Sequence, residues 1–122
     1  MKWLTKTIAA ERRALERARR RFVEKPTEKR LHVVRTTGRR FRSLLEDVAD
    51  IEPHAALRRR VKRAAAATDA ARDATIILRL LESSLDPGEA ETAAPLIAQL
   101  REEEQLATRR ACRQLRRVRF SP

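Results

Sequence analysis

At 122 residues the chain is long enough for one compact domain with a normal core, and its single cysteine, Cys112, excludes an internal disulfide framework. With 29 Lys and Arg against 17 Asp and Glu, the formal charge of +12 calls for an acidic partner: nucleic acid, a polyphosphate chain, an anionic membrane surface or an acidic protein. Two glycines and an abundance of Ala, Leu, Arg and Glu predict an all-α fold.

Residues 3–23 read as a first helix, with Leu4, Ile8, Leu15, Ala18 and Phe22 on one stripe that Glu11 interrupts. Arg12, Arg13, Arg17, Arg19, Arg20 and Arg21 are expected on a solvated far side, with Glu16 and Glu24 pairing locally with some of them. Pro26 breaks the pattern, Thr27 is the expected N-cap of a second helix, and Glu28 suits its first turn.

The second helix, expected to run to about Asp50, carries a histidine, a ladder of arginines and an apolar stripe together. On a wheel of about 100° per residue, Arg35, Arg39 and Arg42 fall within roughly 80° to one side of His32. Leu31, Val33, Val34, Phe41, Leu44, Leu45 and Val48 take the opposite arc, so burial orients the basic face outward. Gly38 is weak in a helix interior, and a close helix–helix approach would justify it.

Pro53 is read as the first-turn proline of a third helix over about 54–84, with Leu57, Val61, Ala64, Thr68, Ala71, Thr75 and Leu78 inward. Its start is basic: Arg58, Arg59, Arg60, Lys62 and Arg63 oppose the helix dipole and suit a partner better than the helix itself. Further along, Asp69, Arg72 and Asp73 form a mixed cluster with spacing for pairing along the helix. After the Asp86–Pro87–Gly88 loop, Thr92 is expected to cap a fourth helix with Pro95 in its first turn and Leu96, Leu100, Ala107, Ala111, Leu115 and Val118 inward. Four amphipathic helices on short connections predict a single domain over residues 1–122, an antiparallel four-helix bundle.

Catalytic chemistry finds little support. His32, His54 and Cys112 have no metal-ligand spacing, no Gly-rich phosphate loop is present, and the carboxylates lie among arginines that hold them ionised. Neither an enzyme nor a cofactor nor a metal is expected. No apolar run approaches the ~18 residues of a membrane span, and the opening Met1–Lys2–Trp3–Leu4–Thr5–Lys6 lacks a signal-peptide core, so a cytoplasmic location is expected.

The run His32–x–x–Arg35–x–x–x–Arg39–Arg40–x–Arg42–x–Leu44, followed by Ala70–Ala71–Arg72–Asp73 and an apolar stretch, resembles the CHAD domain, the conserved histidine α-helical domain. Where the family commonly has Leu-Gly before the Arg-Asp pair, this chain has Thr68–Asp69. The resemblance covers roughly residues 15–118 and implies binding of inorganic polyphosphate through a basic surface. It implies His32, Arg35, Arg39, Arg40 and Arg42 as leading contacts, with Lys62, Arg63 and Arg72 behind them. Usual members hold two bundle halves; this chain supplies one, and a homodimer would rebuild the pair.

Guanidinium forks suit a polymer of phosphates, and the 3% aromatic content offers little base stacking. A nucleic-acid-binding bundle and a scaffold that docks an acidic protein are the alternative readings. A histidine phosphotransfer domain is a weaker one, since that motif places Lys-Gly three and four residues after the histidine, where Arg35 and Thr36 stand here.

Overall fold

The computed structural model describes residues 2–120 and contains four helices: α1 (Lys2–Glu24), α2 (Glu28–Asp47), α3 (Ala55–Ser84) and α4 (Ala90–Arg116). α1 packs on α2, α2 on α3, α3 on α4 and α4 back on α1, a closed ring of neighbours. Cross-links run antiparallel: Glu11 to Arg40 between α1 and α2, Glu28 to Arg79 between α2 and α3, and Glu82 to Arg101 between α3 and α4. The expected all-α antiparallel four-helix bundle is the fold.

The predicted stripes supply the core. Leu4, Ile8, Leu15, Ala18 and Phe22 of α1 meet Leu31, Val34, Phe41 and Leu45 of α2, Val61, Ala64 and Ala71 of α3, and Ala111, Cys112 and Leu115 of α4. All three phenylalanines, Phe22, Phe41 and Phe120, are fully buried. Each contributes about 1.5–3 kcal/mol by leaving water. Thr27 caps α2 as expected, its side chain accepting from the Arg30 N–H at 3.2 Å.

Several boundaries differ from expectation. α2 ends at Asp47, not Asp50, because the chain turns at Val48, whose carbonyl accepts from the Ile51 and Glu52 N–H groups. Pro53 precedes α3 rather than opening it, since His54 occupies the N-cap with φ 21° and no side-chain cap bond. α4 begins at Ala90 behind Glu89, so Thr92 lies inside the helix and caps nothing. Pro95 consequently falls beyond the first turn, where its missing N–H removes an intrahelical bond.

Two apolar expectations also fail. Val33 is 44% exposed and Leu96 48%. For Leu96 the cause is length. At 1.5 Å per residue, α3 and α4 outrun α1 and α2 by about 6–15 Å. The turn at Pro26 and Thr27 lies level with Thr75 and Gln105, and α3 and α4 run on past it, with Arg79 reaching back to Glu28. Leu80 and Leu96 sit on that overhang.

Arg19 is the largest departure. It was expected on the solvated face of α1 but is 5% exposed, beside Glu16 at 7%. Its Nε and Nη2 donate to the two Glu16 oxygens at 2.9 and 2.6 Å, and its Nη1 donates to the Leu115 carbonyl at 3.0 Å. Arg20 Nε and the Phe120 N–H also donate to Glu16, at 2.8 and 3.4 Å. Burial raises the Glu16 pKa, but the Arg19 hydrogen bonds and charge, with Phe120 and Arg20, outweigh it and hold the carboxyl below its usual range. The cluster ties α1 to the end of α4 and to the segment that follows it.

Candidate functional site

The ladder on α2 divides once its neighbours are in place. Arg35, Gly38, Arg39 and Arg42 line a groove of about 280 Å³ whose other wall is Lys62, Ala65, Ala66 and Asp69 of α3. Half of the expected contact residues thus share one groove: Arg35, Arg39, Arg42 and Lys62. Their states differ. Arg35 Nη1 donates to Thr68 Oγ1 at 2.6 Å and to Asp69 at 2.9 Å, and its side chain is only 14% exposed. Arg42 Nε donates to Glu46 of its own helix at 2.9 Å. Among the described residues, neither Arg39 nor Lys62 has a side-chain hydrogen bond or an ion pair, and both are exposed.

The other four expected contacts lie outside that groove. Arg40 turns toward α1, its Nε donating to Glu11 at 2.8 Å, which explains the carboxylate that interrupts the α1 stripe. His32 is exposed, with Nε2 3.4 Å from Thr36 Oγ1. Arg72 pairs with Asp73 at 2.8 Å, and that bond raises its already high pKa. Asp69 pairs with Arg35, and its charge still adds to that of Asp73 in raising the Arg72 pKa. Thr68 and Asp69, which stand where the family commonly has Leu-Gly, are thus the pair that holds Arg35.

Arg63 lies on the other flank of α3. There a cleft of about 800 Å³ is lined by Arg60, Arg63, Ala66 and Ala67 of α3, Gln114 of α4, and Arg117, Val118 and Arg119 just beyond it. Four arginines line this cleft, and no carboxylate is among its lining residues. Gln114, Arg117 and Arg119 were not among the expected contacts, and Arg60 was expected to face a partner only as part of the basic block that opens α3. The signal was nonetheless visible, since one basic block opens α3 and another closes α4. Antiparallel pairing places the first turns of one helix beside the last turns of the other.

Among the described residues no group of His, Cys, Asp and Glu side chains could hold a metal ion, and no helix is long and apolar enough to cross a membrane. Fold and composition together define an all-α bundle domain with a formal charge of +12. Residues 6–122 match the CHAD domain, and the chain belongs to that family. The match extends past the motif-bearing region at both ends and takes in the segment that carries Phe120. No curated protein and no solved structure matches the chain.

Proposed function

We propose that this chain is a non-catalytic, cytoplasmic binder of inorganic polyphosphate. The observation that carries the reading is the α2–α3 groove, where Arg39 and Lys62 face solvent without carboxylate partners, beside Arg35 and Arg42 held in place by theirs. Membership of the CHAD family supports it. Arg39 and Lys62 serve as the primary grips, because binding to them breaks no ion pair. Arg42 joins by sharing its guanidinium, of which only Nε is engaged by Glu46. Arg40, Arg63 and Arg72 extend the positive field around the groove, and His32 offers a ring nitrogen for hydrogen bonding beside it.

Binding of polyphosphate to the purified chain at fixed salt, with competition against duplex DNA and RNA, tests the reading. Polyphosphate should displace the nucleic acids, and they should not displace it. Salt dependence is steep for either polyanion and does not separate them. A triple Arg39→Ala, Arg42→Ala, Lys62→Ala variant should bind far more weakly, each charge-assisted contact contributing about 1.5–3 kcal/mol. Unchanged affinity in that variant would remove the groove from the assignment.

A homodimer is part of the proposal. Ile76, Ile77, Leu80, Leu96 and Leu106 leave large apolar side chains exposed on α3 and α4, which a second copy would cover. A monomer mass by light scattering across working concentrations would refute it.

A further inference from the structure

α3 separates two basic hollows of different character. On the α2 side, Asp69 is part of the wall, and two of the four cations there are already engaged by carboxylates. On the α4 side the cleft is larger, its lining holds four arginines and no carboxylate, and its remaining side chains are Ala66, Ala67, Gln114 and Val118. Among the described residues, Arg60, Arg63 and Arg117 have neither ion pairs nor side-chain hydrogen bonds. Arg119 is anchored to the backbone, its Nη1 donating to the Arg116 and Val118 carbonyls at 2.7 and 3.3 Å. That anchor engages only Nη1 and leaves Nε and Nη2 for a ligand.

Four like charges around one hollow repel one another, and a multivalent anion relieves the repulsion without breaking any existing pair. Small side chains on the α3 wall admit such an anion close to the helix surface. The lining contains no aromatic ring for a base, so the chemistry selects a phosphate chain over a nucleotide. Ala66 belongs to the walls of both hollows. A chain leaving one hollow therefore reaches the other by crossing a single helix, about 10–12 Å wide with its side chains, over an alanine.

We propose that the α3–α4 cleft is a second anion seat, distinct from the α2–α3 groove, that holds a short phosphate chain by itself through Arg60, Arg63, Arg117 and Arg119, while a long chain crosses α3 at Ala66 and occupies both. The inference rests on the polyphosphate reading and adds to it the location of a seat for short chains and a dependence on chain length.

Calorimetric titration with tripolyphosphate and with long-chain polyphosphate, at one salt concentration, tests it on three proteins. These are the unaltered chain, an Arg60→Ala/Arg117→Ala double variant and an Arg39→Ala/Lys62→Ala double variant. Both doubles remove two positive charges from exposed, unpaired positions, so folding and net charge are matched; superimposable circular dichroism spectra verify the first. Tripolyphosphate affinity should fall about tenfold or more in the cleft double and barely change in the groove double. Long-chain affinity should fall in both. Equal weakening of tripolyphosphate by the two doubles would mean a diffuse field and overturn the second seat, leaving polyphosphate binding intact. An unaltered chain that binds neither ligand would overturn the polyphosphate reading and the seat with it.

Discussion

Arg35 of α2 and Asp69 of α3 are joined at 2.9 Å, and the same guanidinium nitrogen donates to the buried Thr68 hydroxyl at 2.6 Å. This arginine is therefore a strut between two helices as well as a wall of the groove. Arg35→Ala should lower the unfolding free energy by about 1–3 kcal/mol, because it withdraws a charged donor from a buried hydroxyl. Arg39→Ala, four residues along and unpaired, should stay within about 0.5 kcal/mol of the unaltered chain. Urea denaturation of the two variants checks the contrast. It also identifies Arg39, not Arg35, as the position at which lost affinity reports binding alone.

Gly38 lies in α2 against α1, where an added Cβ would meet Leu15 Cδ1 at 3.8 Å, an ordinary contact. The helices approach closely here without requiring a glycine. Gly38→Ala should accordingly raise stability by up to about 1 kcal/mol through helix propensity and a less flexible unfolded chain. A lower melting temperature would show that Leu15 cannot accommodate the methyl group.

Phe120 follows α4 yet is only 1% exposed, and its N–H reaches Glu16. Phe120→Ala should cost about 3–5 kcal/mol, as for other large core side chains. Chemical denaturation measures this directly. Because Arg117 and Arg119 belong to the same segment, the variant should also weaken tripolyphosphate binding.

Glu16 makes stability depend on acid. Its folded pKa lies below the ordinary value of 4.5, so the stabilisation is present above that value and is lost as pH falls through the folded one. Glu16→Gln should cost roughly 3 kcal/mol at neutral pH by leaving Arg19 buried without its counter-ion. The gap between the two proteins should narrow on acidification. A constant gap from neutral to strongly acidic pH would show that the carboxylate charge is not what the cluster uses.

Much of the fold was legible in the sequence because a helix's own periodicity states which face it buries. Leu4, Ile8, Leu15, Ala18 and Phe22 could be read as one stripe, Thr27 as a cap, and Val61, Ala64, Thr68 and Ala71 as the thin inner face of α3, all without knowledge of a neighbour. Failures occurred where a neighbour decides. Leu96 follows the period of its helix but overhangs the shorter pair, and Arg19 carries a charge that Glu16 and the Leu115 carbonyl make tolerable in the interior. Phe120 lies outside any helical pattern, so no periodicity announced its burial.

The candidate site divides in the same way. The sequence by itself determined that this is a basic helical bundle, that arginines stand off the apolar arc of α2, and that α3 opens and α4 closes on positive charge. Only the tertiary structure decided which of those cations are free. Arg40 is engaged by Glu11 and Arg35 by Asp69, partners far away in the chain and adjacent only after the helices pack. The same packing brings Arg60 and Arg63 beside Arg117 and Arg119. The physical reason is that helical geometry orients a side chain relative to its own axis, whereas the field it experiences is set by the helices alongside.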